Sequence, residues 1–143
     1  MLVKNILSTK GREVIAIAAD STLSEAARLL ARKRIGAVLV RDASGALAGI
    51  LSERDVVRAV AEGSVTALAR PVSAYMTRAV ATCSEQDTVE DLMEMMTIGR
   101  FRHVPVLESG MVTGMISIGD VVKTRIEETV QEAASLRDYI TAA

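Results

Sequence analysis

Gly49-Ile50-Leu51-Ser52-Glu53-Arg54-Asp55-Val56-Val57 returns later in the chain as Gly114-Met115-Ile116-Ser117-Ile118-Gly119-Asp120-Val121-Val122. In each copy a short apolar run ends in a serine. A carboxylate follows three residues on, and a second apolar run begins with helical spacing. Self-similarity at a fixed period points to a repeat, and the repeat decides the fold.

Working outward, the copies extend in both directions. Upstream of the first, Thr22-Leu23-Ser24-Glu25 is a capping-box pattern, with Thr22 as N-cap and Glu25 reaching back. Leu23, Ala26, Ala27 and Leu30 then share one helical face. Arg32-Lys33-Arg34 closes that helix, with cations where the helix dipole favours them. Ile35 to Val40 reads as a strand, Asp42-Ala43-Ser44-Gly45 as a turn, and Leu47 to Leu51 as the return strand of a hairpin. Ser52 opens the next helix, and Gly63 is expected to end it at the C′ position.

The same plan recurs after residues 63–71. Val72 to Met76 echoes the apolar lead-in Val3 to Leu7, which Lys10-Gly11-Arg12 breaks, and Val80 to Cys83 echoes Val14 to Ile17 of the short strand Val14 to Ala18. Thr88-Val89-Glu90-Asp91 echoes the first capping box. Val89, Leu92, Met93 and Met96 repeat the apolar face, and Phe101 to Val106 repeats the strand. The turn Glu108-Ser109-Gly110 is one residue shorter, and a turn is where a folded repeat tolerates a gap.

The expected fold is therefore α+β, with β-α-β-β-α occurring twice. Repeat 1 covers residues 1–63, a linker 64–71, repeat 2 residues 72–126, and a C-terminal helical extension 127–143. One copy leaves an apolar sheet face uncovered, so the two are expected to pack together about a pseudo-twofold axis. In the last helix Val122, Ile126, Val130, Ala133, Leu136 and Ile140 form a stripe close to heptad spacing. It either packs on its own core or meets its mate in a homodimer.

Composition narrows the function classes. The 143 residues are 50% hydrophobic and only 2% aromatic, so the core is aliphatic. A net charge of −1 argues against nucleic-acid binding by bulk charge. No apolar run approaches the roughly 20 residues that span a bilayer. The single cysteine, Cys83, and the lack of a secretory h-region make a reducing cytoplasmic setting the expectation. His103 is the only histidine, and no Cys/His cluster or base–nucleophile pair is visible, so neither a metal site nor an enzyme is expected.

Ser-x-x-Asp before a helix is a capping box on its own. Repeated at the same place in both halves, it is also a candidate anion site. A helix N-terminus offers N–H groups, and a carboxylate one turn deeper can accept ribose hydroxyls. Hydroxyl, helix end and carboxylate together suit a ribose phosphate.

Hairpin, Gly-x-x-Ser-x-x-Asp and helix in tandem resemble a pair of cystathionine-β-synthase (CBS) domains, a Bateman module, over about Leu2 to Arg125. Arg102-His103-Val104-Pro105-Val106 resembles the family's basic lead into its central strand. The resemblance implies a two-fold disc whose clefts, between the halves, bind adenosyl ligands: AMP, ADP, ATP, NAD(H) or S-adenosylmethionine. AMP or NAD(H) is the leading expectation. It also implies that Ser52 and Ser117 hold phosphate, and that Asp55 and Asp120 hold ribose, with Arg54 and Gly119 inside the two motif copies. Backbone groups of Ile17 to Asp20, and of Thr82 to Gln86 including Ser84, would hold the adenine edge. Arg102 stands where the family places a phosphate-facing cation, with His103 beside it. Repeat 1 has Gly36 there, so Arg34 or Arg54 would have to compensate. Two unlike sites follow, in a regulatory nucleotide sensor that acts on an unidentified partner protein. The rival is a nucleotide-independent dimerisation or docking scaffold.

Overall fold

The computed structural model describes residues 1–142, so the final residue of the expected 127–143 extension lies outside the described residues. The chain divides into two compact units that do not follow sequence order. One is Val14–Ala81; the other joins Met1–Glu13 to the chain from Thr82 onward.

In the first unit β1 (Ala16–Ala18) pairs in parallel with β2 (Ala37–Arg41), which pairs antiparallel with β3 (Leu47–Ser52). The crossover between β1 and β2 is α2 (Leu23–Lys33), and α3 (Glu53–Gly63) follows β3. Helix α2 starts where its capping box requires. Thr22 Oγ1 accepts from Glu25 N at 3.1 Å, and Glu25 Oε2 accepts from Thr22 N at 3.3 Å. Its buried face is Leu23, Ala26 and Leu30; these meet Val38, Val40, Leu51 and Ala59 in the core. Arg34 ends the helix in the left-handed conformation.

The end of α3 differs from the expectation. Gly63 is its last helical residue, and Ser64 takes the positive φ instead. Ser64 is the point where the chain reverses into the 3-10 turn Val65–Ala69, and Ser64 O accepts from Ala67 N. The segment after that turn lies along β3. Ile50 and Thr77 exchange two backbone hydrogen bonds, at 3.0 and 2.9 Å. A Cβ on Gly49 would come within 2.7 Å of Thr77 O and 2.8 Å of Met76 Sδ. This close approach is the reason for the glycine at the head of the motif.

The second unit holds α1 (Val3–Lys10), α4 (Val89–Gly99), β4 (His103–Glu108), β5 (Met111–Ser117) and α5 (Ile118–Ala142). Helix α1 buries Val3, Ile6 and Leu7 among Val89, Leu92, Val104, Val106, Ile116 and Val121. The lead-in of repeat 1 thus completes the core around repeat 2, while the lead-in of repeat 2 lies on β3 of repeat 1. A Cβ on Gly114 would meet Leu7 Cδ2 at 2.6 Å, so both motif glycines make room for an exchanged lead-in.

Three features of repeat 2 depart from strict repetition. Val72–Ala74 is a 3-10 turn where Val3–Lys10 is an α-helix. Its N–H groups are drawn outward, Val72 N to Ser21 O and Ser73 N to Ala19 O. The expected strand Val80–Cys83 shrinks to one parallel bridge, Cys83 with Val106. Ser84 N donates to Asp87 Oδ2 at 2.8 Å, and that turn cuts the strand short. Met93, assigned to the apolar face, is exposed, whereas Val89, Leu92 and Met96 are buried. The hairpin gap falls where the sequence places it. Arg41 pairs with Leu47 across five residues, and Leu107 with Val112 across four. Ser109 and Gly110, both at positive φ, form the tight turn.

Helix α5 packs through Val121 and Thr124 on the opposite side from the stripe. The stripe itself does not pack on its own core: exposure runs from 48% at Val122 to 66% at Ile140. Of the two fates left open by the sequence, the intramolecular one is not adopted.

Candidate functional site

Both copies of Ser-x-x-Asp fold into the same closed box. At α3, Ser52 N and Ser52 Oγ donate to Asp55 Oδ2 at 2.8 and 3.2 Å, and Asp55 N donates back to Ser52 Oγ at 3.4 Å. At α5 the matching distances are 2.9, 3.0 and 3.2 Å. The first helical amide is engaged as well: Glu53 N donates to Gly36 O, and Ile118 N to Arg102 O. Two of the first three N–H groups that a bare helix end offers to an anion are thus already used. Each box is rigid, and Oδ2 of each aspartate is turned inward to its own serine.

Sheet register brings the basic lead to this box in repeat 2. His103 pairs directly with Ser117, as Ala37 does with Ser52. Arg102 and Gly36 occupy equivalent places, each accepting the first amide of the following helix through its carbonyl. Arg34 lines an open groove between α2 and α3 with Ala31, Gly36, Glu53 and Val57. Arg54 follows Glu53 in the first turn of α3, and Gly119 holds that position in α5.

The segments assigned to the adenine edge are held by backbone bonds. Ile17 pairs with Val40 in β1–β2, and Ala19 N donates to Arg41 O. In repeat 2, Thr82 and Ser84 flank the Cys83 bridge. Ser84 Oγ is already committed, donating to Glu108 Oε1 at 2.9 Å, and Glu85 N donates to the same oxygen at 2.7 Å. Cys83 itself is buried, and burial pushes its thiol up to about 12, with Asp87 and Glu108 adding to the shift. It stays a protonated core residue at neutral pH.

Two cations join the repeat 2 site without having been expected there. Lys10 Nζ donates to Asp120 Oδ2 at 2.6 Å and to Met115 O at 2.8 Å. Arg12 Nη2 pairs with Glu85 Oε1 at 2.7 Å. Burial works to raise the Asp120 carboxyl's pKa. Hydrogen bonds from Lys10 and from the Ser117 amide, with the charge of Lys10, outweigh it and hold the group below its ordinary value. Asp55 has a different partner: Arg58 of its own helix, at 3.7 Å. In sequence, Lys10-Gly11-Arg12 reads only as a break after an apolar run. The stretch between the two echoes is shorter in repeat 2, Val72 to Val80 against Val3 to Val14, and its cation there, Arg78, donates to Ser73 O instead.

Among the described residues no cluster of His, Cys, Asp and Glu is placed to hold a metal ion, and no helix is long and apolar enough to cross a membrane.

The CBS domain family model matches residues 3–62 and 72–127. The chain belongs to the CBS-domain family and carries two copies of the domain. Its fold is close to that of the CBS-domain protein ATU1752 from Agrobacterium tumefaciens, at 50% identity and TM-score 0.85, covering 87% of this chain and 92% of that one. It is also similar to the CBS domain pair of protein MJ0100, solved with 5′-methylthioadenosine and S-adenosyl-L-methionine, at 26% identity and TM-score 0.79 over 90% and 98% of the two chains. The CBS domain protein PAE2072 from Pyrobaculum aerophilum, solved with AMP, matches at 27% identity and TM-score 0.75 over 84% and 89%.

Proposed function

We propose that this chain is a non-enzymatic regulatory module of the cytoplasm that binds an adenosyl ligand at its two Ser-x-x-Asp boxes and reports it to a partner protein. The observation that carries the reading is the identical construction of the two boxes, in a family whose similar members were solved with AMP and with S-adenosyl compounds. In each box Oδ2 is spent on the cap, so Oδ1 of Asp55 or Asp120 is the oxygen that receives a ribose hydroxyl. Ser52 and Ser117 face the phosphate, with Arg54 or the Gly119 amide beside them. Arg102 adds positive charge in repeat 2, with His103 beside it. Backbone groups near Ile17, and near Thr82 and Ser84, read the adenine edge. AMP or NAD(H) is the favoured ligand, which makes the module a sensor of energy or redox state; ADP and ATP use the same contacts.

Calorimetric titration with AMP, ADP, ATP, NAD(H) and S-adenosylmethionine, beside mass spectrometry of small molecules released from fresh protein, tests this. Binding of at least one is expected. Asp120→Ala should weaken it at one site by about 1.5–3 kcal/mol, the worth of a hydrogen bond to a charged group. No heat and no melting shift at millimolar ligand supports the rival instead, a scaffold whose boxes, fully satisfied as they are, only cap.

The module acts as a homodimer, and the exposed stripe of α5 is its seam. With Ile126, Ala133 and Ile140 at a, and Val122, Thr129 and Leu136 at d, a parallel pair sets Glu132 at g against Arg137 at e of the second copy. The antiparallel register that stacks Val122 on Ile140 instead opposes Lys123 to Arg137 and Glu132 to itself. Charge therefore favours the parallel pair. Sedimentation at micromolar concentration should give a dimer. Leu136→Glu with Ile140→Glu, both exposed in the single chain, should give a folded monomer; a dimer that survives this double change excludes the seam.

A further inference from the structure

Residues Lys10-Gly11-Arg12 touch the repeat 2 site at two places. Lys10 holds the carboxylate assigned to ribose, and Arg12 holds Glu85 in the segment assigned to the adenine edge. Gly11, at φ 102, turns the chain between them. The three residues form a cationic strap on the site, fixed at one end to β5 through Met115 O. The Lys10 ammonium is 2.6 Å from Asp120 Oδ2, and that oxygen is 3.0 Å from Ser117 Oγ. A phosphate at the serine hydroxyl therefore lies close to both Asp120 and Lys10.

We propose that Lys10 is the specificity-determining residue of the repeat 2 site, selecting an adenosyl ligand that carries a phosphate over a neutral or cationic one. The inference rests on the reading of Ser117 and Asp120 as an adenosyl site. An uncompensated carboxylate repels a phosphate placed a few ångströms away, and Lys10 cancels that charge. In repeat 1 the carboxylate is met by Arg58 of its own helix, 3.7 Å from Asp55 Oδ1 and with its side chain 64% exposed, so that pair is more screened than the 2.6 Å contact of Lys10 with Asp120. The repeat 1 box keeps more of its negative charge. Its preference for a phosphate-bearing ligand over a neutral or positively charged one, such as a thioether nucleoside or a sulfonium, is correspondingly weaker. The inequivalence expected from Arg102 and Gly36 is thereby extended to the ribose end of the site.

The test compares AMP with adenosine, which share base and ribose and differ in the phosphate. Calorimetry is done in an Asp55→Asn background, so that repeat 2 is read alone, on Lys10, Lys10→Met and Lys10→Arg chains. The ratio of AMP to adenosine affinity should fall about tenfold in Lys10→Met, the order expected for losing one nearby charge in a partly screened site. It should be largely retained in Lys10→Arg. An unchanged ratio in Lys10→Met overturns the proposal, whether the two affinities stay level or fall together, since a merely structural lysine affects both alike. Failure of the Lys10 chain to bind either compound overturns this proposal, and the adenosyl reading falls with it when the unaltered chain also gives no heat with the five ligands above.

Discussion

Leu7→Ala is expected to destabilise the protein by about 2–5 kcal/mol, the range for truncating a fully buried leucine. Leu7 is 1% exposed and sits over β5, against Gly114, within the core of the unit formed by Met1–Glu13 and the chain beyond Thr82. No residue near it is free to refill the space, because its neighbours Val3 and Ile116 are themselves fully buried. Urea unfolding measures the loss. Hydrogen exchange locates it: protection should fall further in α4, β4 and β5 than in α2, β2 and β3, although Leu7 precedes repeat 1 in the chain. Protection falling mainly in residues 14–81 contradicts the exchange of lead-ins.

Gly49→Ala is the second large effect, at about 3 kcal/mol, the upper end of overpacking costs. The added methyl meets Thr77 O at 2.7 Å, and Thr77 is held to Ile50 by two backbone hydrogen bonds. Relief requires the backbone to move and both bonds to stretch. Gly114→Ala makes the control. The nearest atoms to its methyl are those of the Leu7 side chain, whose end gives way more readily than backbone, so a cost of about 1 kcal/mol is expected. Thermal melts of the two variants decide the matter. A Gly114 change as costly as the Gly49 change removes the distinction between backbone and side-chain contact.

These glycines show how far a motif can be read before the fold is known. Gly-x-x-Ser-x-x-Asp is legible as strand end, cap and helix start, and both boxes form as the spacing requires. The apolar faces of α2 and α4 are legible for the same reason: a 3.6-residue period puts Leu23, Ala26 and Leu30, or Val89, Leu92 and Met96, on one side. Ala27 and Met93 lie at the margin of that face. Met93 comes out exposed, because the width of the buried stripe is set by what packs against it. The glycines' purpose stays hidden at this level, since the atoms they make room for lie 28 and 107 residues away.

The candidate site divides the same way. Ser52, Asp55, Ser117 and Asp120 are named from local spacing and His103 from the basic lead into its strand; the register that sets His103 against Ser117 belongs to the structure. Lys10 and Arg12 are not, because an ion pair spanning 110 residues leaves no local pattern. Arg34, cationic and near the motif in sequence, is placed by its left-handed cap on the groove between α2 and α3 that Gly36 and Glu53 also line.

The chain by itself determined the helices α2 to α5 with their N-terminal boxes, the two hairpins, the tandem repeat and the family, because these follow from local spacing; the strand expected at Val80–Cys83 and the C′ role of Gly63 did not follow. Only the tertiary structure decided which lead-in completes which core, and hence that Lys10 reaches Asp120 in one repeat while no counterpart reaches Asp55 in the other. Two near-identical repeats present near-identical apolar faces. Local pattern cannot choose between them; packing chooses, through the fit of Leu7 over Gly114 and of Met76 and Thr77 over Gly49.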